Sequence, residues 1–142
     1  MAAELINVFI SEESLTIEPW YSQVQVAEAG GNCLFVGTVR NENKGQLVTH
    51  LEFESYVPMA LKEMAKIANE AKAKFNLTGC TIAHRTGKCE VGDIAVIIAT
   101  SSKHRKQAFE ACEFAIDELK RHVPIWKKEF LVDGSYWVNS RP

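Results

Sequence analysis

Ile94-Ala95-Val96-Ile97-Ile98-Ala99-Thr100-Ser101 is an apolar, β-branched run that ends in small hydroxyl residues and feeds directly into a helical pattern. Ala108, Cys112, Ala115, Ile116 and Leu119 recur at i, i+4, i+7, i+8 and i+11, one face of an α-helix over roughly Lys103 to His122. Pro124 ends that helix, because the residue before a proline avoids helical geometry. Trp126 to Val132 then reads as a strand, Asp133-Gly134 as a tight turn and Ser135 to Val138 as the returning strand.

The rest of the chain repeats this alternation. Leu5 to Ile10 opens as a strand, and Glu18-Pro19 starts a short helix that runs to about Glu28 and stops at Gly30-Gly31. Asn32 to Arg40 is a β-rich central strand, Asn41 to Gly45 a polar turn or loop, and Val48 to Tyr56 alternates as a half-buried strand does. Pro58 opens a second long helix, with Leu61, Met64, Ala68, Ala71 and Phe75 on its apolar face. Lys62, Glu63, Lys66, Glu70, Lys72 and Lys74 lie largely off that face and read as solvated surface. Thr81 to Arg85 is a short strand, and Gly87 and Gly92-Asp93 punctuate the route to Ile94. The fold class is α+β: a mixed sheet with two long helices packed on it, in a single domain over residues 1–142.

Composition narrows the function. Hydrophobic residues make up 46% and charged residues 24%, ordinary globular values. A net charge of -2 argues against a general nucleic-acid binder. Met1-Ala2-Ala3-Glu4-Leu5 lacks the basic start of a signal peptide, and no apolar run approaches the ~20 residues that span a bilayer. A soluble cytoplasmic protein is expected. Cys33, Cys80, Cys89 and Cys112 form no CxxC pair and no zinc-ligand spacing, so they read as reduced residues with no metal.

Against this acidic background, bases gather at both ends of the last helix. Its start reads Ser101-Ser102-Lys103-His104-Arg105-Lys106. Bases in a first helical turn oppose the helix dipole, which favours anions there. Two readings stand: an anion site built on free N–H groups, or ordinary serine capping with exposed bases. At the other end, Lys120 suits the dipole of a last turn. If the Pro124 turn folds Lys127 back beside it, the two ammonium groups lower each other's pKa, and such a lysine acts as acid or base or holds a phosphate. Arg40 ends a strand beside a polar loop, either as a ligand-binding arginine or as an exposed terminal one. Glu129 pairs with Lys127 or Lys128, while His50, His84 and His122 show no partner.

Several blocks together carry a resemblance. Phe35-Val36-Gly37-Thr38-Val39-Arg40-Asn41 and His84-Arg85-Thr86-Gly87 are two of them. Ser102-Lys103-His104-Arg105 with Ala108-Phe109-Glu110-Ala111, and the run from Leu119-Lys120 through Pro124-Ile125-Trp126-Lys127-Lys128-Glu129, are the others. In this order and spacing they resemble the large, catalytic subunits of molybdopterin synthase, the MoaE family, from about Leu5 to Arg141. The resemblance implies an α/β hammerhead-type fold and a central homodimer, with one small ubiquitin-like sulfur-carrier subunit at each end of a heterotetramer. It implies sulfur transfer from that subunit's C-terminal thiocarboxylate to cyclic pyranopterin monophosphate, with no metal or dissociable cofactor. Carried over by position, Lys120 and Lys127 are the catalytic lysines, and Thr38, Val39 and Arg40 line the substrate site. His104 and Arg105 bind the substrate's anionic part, and Lys128 and Glu129 complete the wall. Family members often carry lysine where this chain has Thr38, and Arg141 matches an arginine that reaches a neighbouring subunit's pocket.

Two other classes compete with an enzyme. One is a non-catalytic docking module for a ubiquitin-like partner, with the lysines as docking charges. The other is a small phosphate-ligand binder, against which the lack of a Gly-rich phosphate loop counts.

Overall fold

The computed structural model describes residues 5–139. In chain order the elements are β1 (Leu5–Ser11), α1 (Glu18–Ser22), β2 (Gly31–Thr38), β3 (Glu42–Asn43), β4 (Gln46–Ser55), α2 (Val57–Phe75), β5 (Leu77–Arg85), β6 (Gly87–Glu90), β7 (Ile94–Ser102), α3 (Arg105–His122), β8 (Ile125–Leu131) and β9 (Tyr136–Asn139). The strands divide between two sheets. The first has the order β1-β5-β7-β2; the second has the order β3-β4-β8-β9, with β6 also paired to β4.

The first sheet is mixed, with β1 parallel to β5 and the other pairs antiparallel. Both long helices pack on it, α2 over β1 and β5, α3 over β7 and β2. The short α1 packs on β5 and β7 and contributes Trp20 to a smaller cluster with Leu15, Ala83 and Ile97. Strands β5 and β7 are therefore covered on both faces, which is why Ile94 to Ser101 reads as a continuous apolar run. The main core joins Met64, Ile67, Ala68 and Ala71 of α2 to Ala111, Cys112, Ala115 and Leu119 of α3, with Ile82 and Ile98 from the sheet.

Four local expectations need correction. The first helix covers five residues and does not reach Glu28, because the chain turns at Gln23. Segment 41–45 contains the expected turn, at Lys44 and Gly45 with positive φ as a two-residue type I′ connection requires, but it is the turn of a hairpin, with Asn43 paired to Gln46. Segment 87–90 is a strand, held by pairing with β4. The buried face of α2 includes Ala60 and Ile67, while Leu61 and Phe75 sit at its margin.

Candidate active site

Alternation along β8 sorts its side chains onto two faces. Ile125, Lys127, Glu129 and Leu131 share the inner face, and Ile125, Glu129 and Leu131 are buried. Register with β4 sets Lys127 opposite Phe53 and Glu129 opposite Leu51. On the outer face, Trp126 donates its indole N–H to Glu54 Oε2 at 3.1 Å, tying the two strands together.

The end of α3 brings Lys120 to this surface. Leu119 is fully buried, and the Val123 N–H bonds back to its carbonyl at 3.1 Å. Pro124 then turns the chain, and its carbonyl accepts from Tyr56 N–H at 3.4 Å, so β8 starts beside the helix end. Lys120 and Lys127 line one cavity of about 130 Å³ together with Thr38, Val39, Leu51, Phe53 and His84. Thr38, Val39, Leu51 and Lys127 also line a second, smaller cavity of about 70 Å³, which adds Arg40, Asn43 and Glu129. Val39 is fixed at the junction: its N–H bonds to the Asp93 carbonyl at 3.0 Å and its carbonyl accepts from Gly92 at 2.8 Å.

The electrostatics follow from this convergence. Burial lowers the Lys127 pKa, Glu129 opposes the shift, and the positive charges of Lys120 and Arg40 reinforce it. A desolvated lysine facing two cations is readier to give up its proton than an exposed one. His84 is buried, and burial pushes its pKa down to about 4 against the raising effect of its Arg85 hydrogen bond. Its Nδ1–H donates to the Arg85 carbonyl at 2.7 Å, and its ring meets Phe53 edge-on. His84 is thus a neutral wall of the cavity. Glu129, only 4% exposed, accepts from Asn43 Nδ2 at both carboxylate oxygens, at 2.9 and 3.1 Å. Among the described residues, no three His, Cys, Asp or Glu side chains gather as a metal site. The cavity's charged donors are ammonium and guanidinium groups, which suit anions.

Not every residue named from the sequence meets here. His104 and Arg105 are exposed at the start of α3 and do not line either of these cavities. Fifteen residues separate Arg105 from Lys120, about 22 Å along a helix. No side chain caps that helix start, because the Ser102 hydroxyl bonds to the His104 carbonyl instead and Ser101 pairs with Thr78. Gly31 allows the start to sit close, since a Cβ there would lie 2.7 Å from the Arg105 Cα. Lys128 projects from the outer face of β8, 4.3 Å over the Tyr136 ring, so it does not wall the cavity. Arg121 pairs with Glu118 at 3.1 Å. Arg141 lies outside the described residues. The sequence reading missed Asn43 and His84. Alternation over Val48 to Tyr56 would have put Leu51 and Phe53 on one face, but nothing local links Asn43 to Glu129.

The chain is therefore of the class of mixed two-sheet α/β proteins with a cationic pocket: a lysine pair lines one small cavity and an arginine the adjoining one. The comparisons with known proteins give that class its family. Over residues 10–122 the chain matches the family model described as MoaE protein. It is 39% identical over 138 residues to the molybdopterin synthase catalytic subunit of Pyrococcus abyssi, covering 97% of this chain and 93% of that one. It superposes on the crystal structure of molybdopterin synthase from Staphylococcus aureus with a TM-score of 0.85 and 40% identity, covering 90% and 94% of the two chains. It shares its fold, at a TM-score of 0.73 and 23% identity, with a chain from the complex of subunits 1 and 2 of the molybdopterin-converting factor of Helicobacter pylori, covering 94% and 88%. The chain belongs to the MoaE protein family. Among the described residues, no helix is long and apolar enough to cross a membrane.

Proposed function

We propose that this chain is the catalytic subunit of a cytoplasmic molybdopterin synthase, a sulfurtransferase whose single domain spans residues 1–142. It takes sulfur from the thiocarboxylated C-terminus of a small ubiquitin-like subunit and places it on cyclic pyranopterin monophosphate, forming the dithiolene of molybdopterin. The observation that carries this reading is the shared cavity of Lys120 and Lys127, with Arg40 in the adjoining space. Each transfer forms a carbon–sulfur bond at a substrate carbon as that carbon's bond to oxygen breaks, the oxygen leaving on the phosphate or as water; a further water then breaks the acyl–sulfur bond, leaving the tail as a carboxylate and the sulfur on the substrate. That hydrolysis passes through an oxyanion, which a fixed ammonium group stabilises. Lys127, with its lowered pKa, moves a proton more readily than an ordinary lysine, and Lys120 lines the same cavity beside it. Arg40 offers two parallel donors to the substrate phosphate. Thr38 and Val39 shape the wall, and Glu129 closes it.

His104 and Arg105 fit the same reading through the homodimer at the centre of the heterotetramer. About 22 Å along α3 separates them from their own Lys120, so they reach a substrate only in a pocket of the second protomer. Lys128, on the outer face of β8, then has a role outside the cavity.

The deciding experiment is single-turnover sulfur transfer from a thiocarboxylated small subunit to cyclic pyranopterin monophosphate. Lys120→Ala and Lys127→Ala should each slow transfer by ~100-fold or more while the two subunits still co-elute. Wild-type transfer rates in both variants would sink the reading. Normal chemistry with lost co-elution would mark the lysines as docking charges instead.

A further inference from the structure

We propose that Asn43 is a positioning residue of this site, acting through Glu129 to hold a negative charge against Lys127. The inference rests on the catalytic role given above to Lys127.

The geometry is a clamp built by a hairpin. Asn43 ends the two-residue strand β3, and the positive-φ pair Lys44 and Gly45 returns the chain at once into β4. That turn fixes the Asn43 backbone against Gln46, and its side chain reaches across 86 residues of sequence to β8. Its Nδ2 group bonds both oxygens of Glu129, at 2.9 and 3.1 Å, which keeps both turned towards Asn43. Glu129 is buried and shares the inner face of β8 with Lys127, two residues away. Asn43, Lys127 and Glu129 line the same small cavity as Arg40. These two bonds help hold the carboxylate beside Lys127, and losing them lets it shift, so that the balance of charge at Lys127 changes with it.

Among the described residues, the titratable groups around Lys127 are Glu129 from its own strand, Lys120 from α3, Arg40 beyond the end of β2, exposed Glu42 from β3, and neutral His84 from β5. Glu129 is the group whose charge raises the Lys127 pKa, against burial, Lys120 and Arg40. The pull depends on distance, so loosening the carboxylate leaves the two cations and burial less opposed. Lys127 should then lose its proton at lower pH.

The test follows the titration of Lys127 in the full-length chain by NMR of ε-carbon-labelled lysine, assigned with Lys127→Arg. Single-turnover transfer with the thiocarboxylated small subunit and cyclic pyranopterin monophosphate is measured across the same pH range. Glu129→Gln should move the Lys127 titration to clearly lower pH. Asn43→Ala and the shape-matched Asn43→Leu should move it the same way by part of that amount, and the Lys127-dependent limb of the rate profile should follow. In Asn43→Ala/Glu129→Gln the shift should equal that of Glu129→Gln alone. An unmoved Lys127 titration in both Asn43 variants overturns the proposal, as does a shift that persists in full on top of Glu129→Gln. The catalytic reading fails separately, if Lys127→Ala transfers sulfur normally.

Discussion

Mild acidification should destabilise this protein, and His84 is the reason. The imidazole is buried, donates Nδ1–H to the Arg85 carbonyl, and has its pKa pushed from 6.5 to about 4. Its folded-state pKa is lowered, so the unfolded chain binds a proton that the native state refuses. Between about pH 6.5 and pH 4 the unfolded state holds more protons, and stability falls as pH falls. The gap of about 2.5 units, at about 1.4 kcal/mol per unit, corresponds to about 3–4 kcal/mol once the pH is below 4. Most of it appears early: at pH 5 the penalty is already about 2 kcal/mol, before most carboxylates titrate. Urea unfolding at fixed protein concentration from pH 7 to pH 4, on wild type and His84→Gln, measures it. The variant is expected to be less stable at pH 7, since its fit to the Arg85 carbonyl is poorer. Its loss between pH 7 and pH 5 should nonetheless be smaller than that of wild type by about 2 kcal/mol. Parallel curves over that range would refute the assignment of a buried neutral imidazole at this cavity wall.

Two further outcomes follow from packing and burial. Cys80 and Cys112 have their thiols pushed up to about 12 by burial, so alkylation at pH 8 followed by peptide mass mapping should leave both unmodified until denaturant is added. Labelling of native Cys112 at the unfolded rate would contradict this. Gly31→Ala puts a methyl group 2.7 Å from the Arg105 Cα, backbone against backbone, and should cost ~1–3 kcal/mol in chemical denaturation while shifting the amide resonances of the α3 start. Unchanged stability and spectra there would mean that the helix start does not rest on β2.

Much of the fold is local in origin, and was legible for that reason. Pro58 and Pro124 mark a helix start and a helix end through fixed backbone geometry, and the run Ile94 to Ser101 announces a strand buried on both faces. Hairpin 43–46 and strand β6 were not legible, because a two-residue strand exists only through the partner that pairs with it.

The site divides along the same line. The sequence by itself determined which residues bear charge; strand alternation puts Lys127 and Glu129 on one face and Lys128 on the other, against the expectation that Lys128 would wall the site. It also determined that Lys120 sits at one end of a helix and Arg105 at the other. Tertiary structure alone decided that Lys120, Lys127, Arg40 and His84 surround adjoining cavities, and that Asn43 holds Glu129. Periodicity acts over one element and gives direction. Proximity between α3, β8, β5 and the end of β2 depends on how two sheets and two helices share a core, and no local pattern of residues encodes that distance.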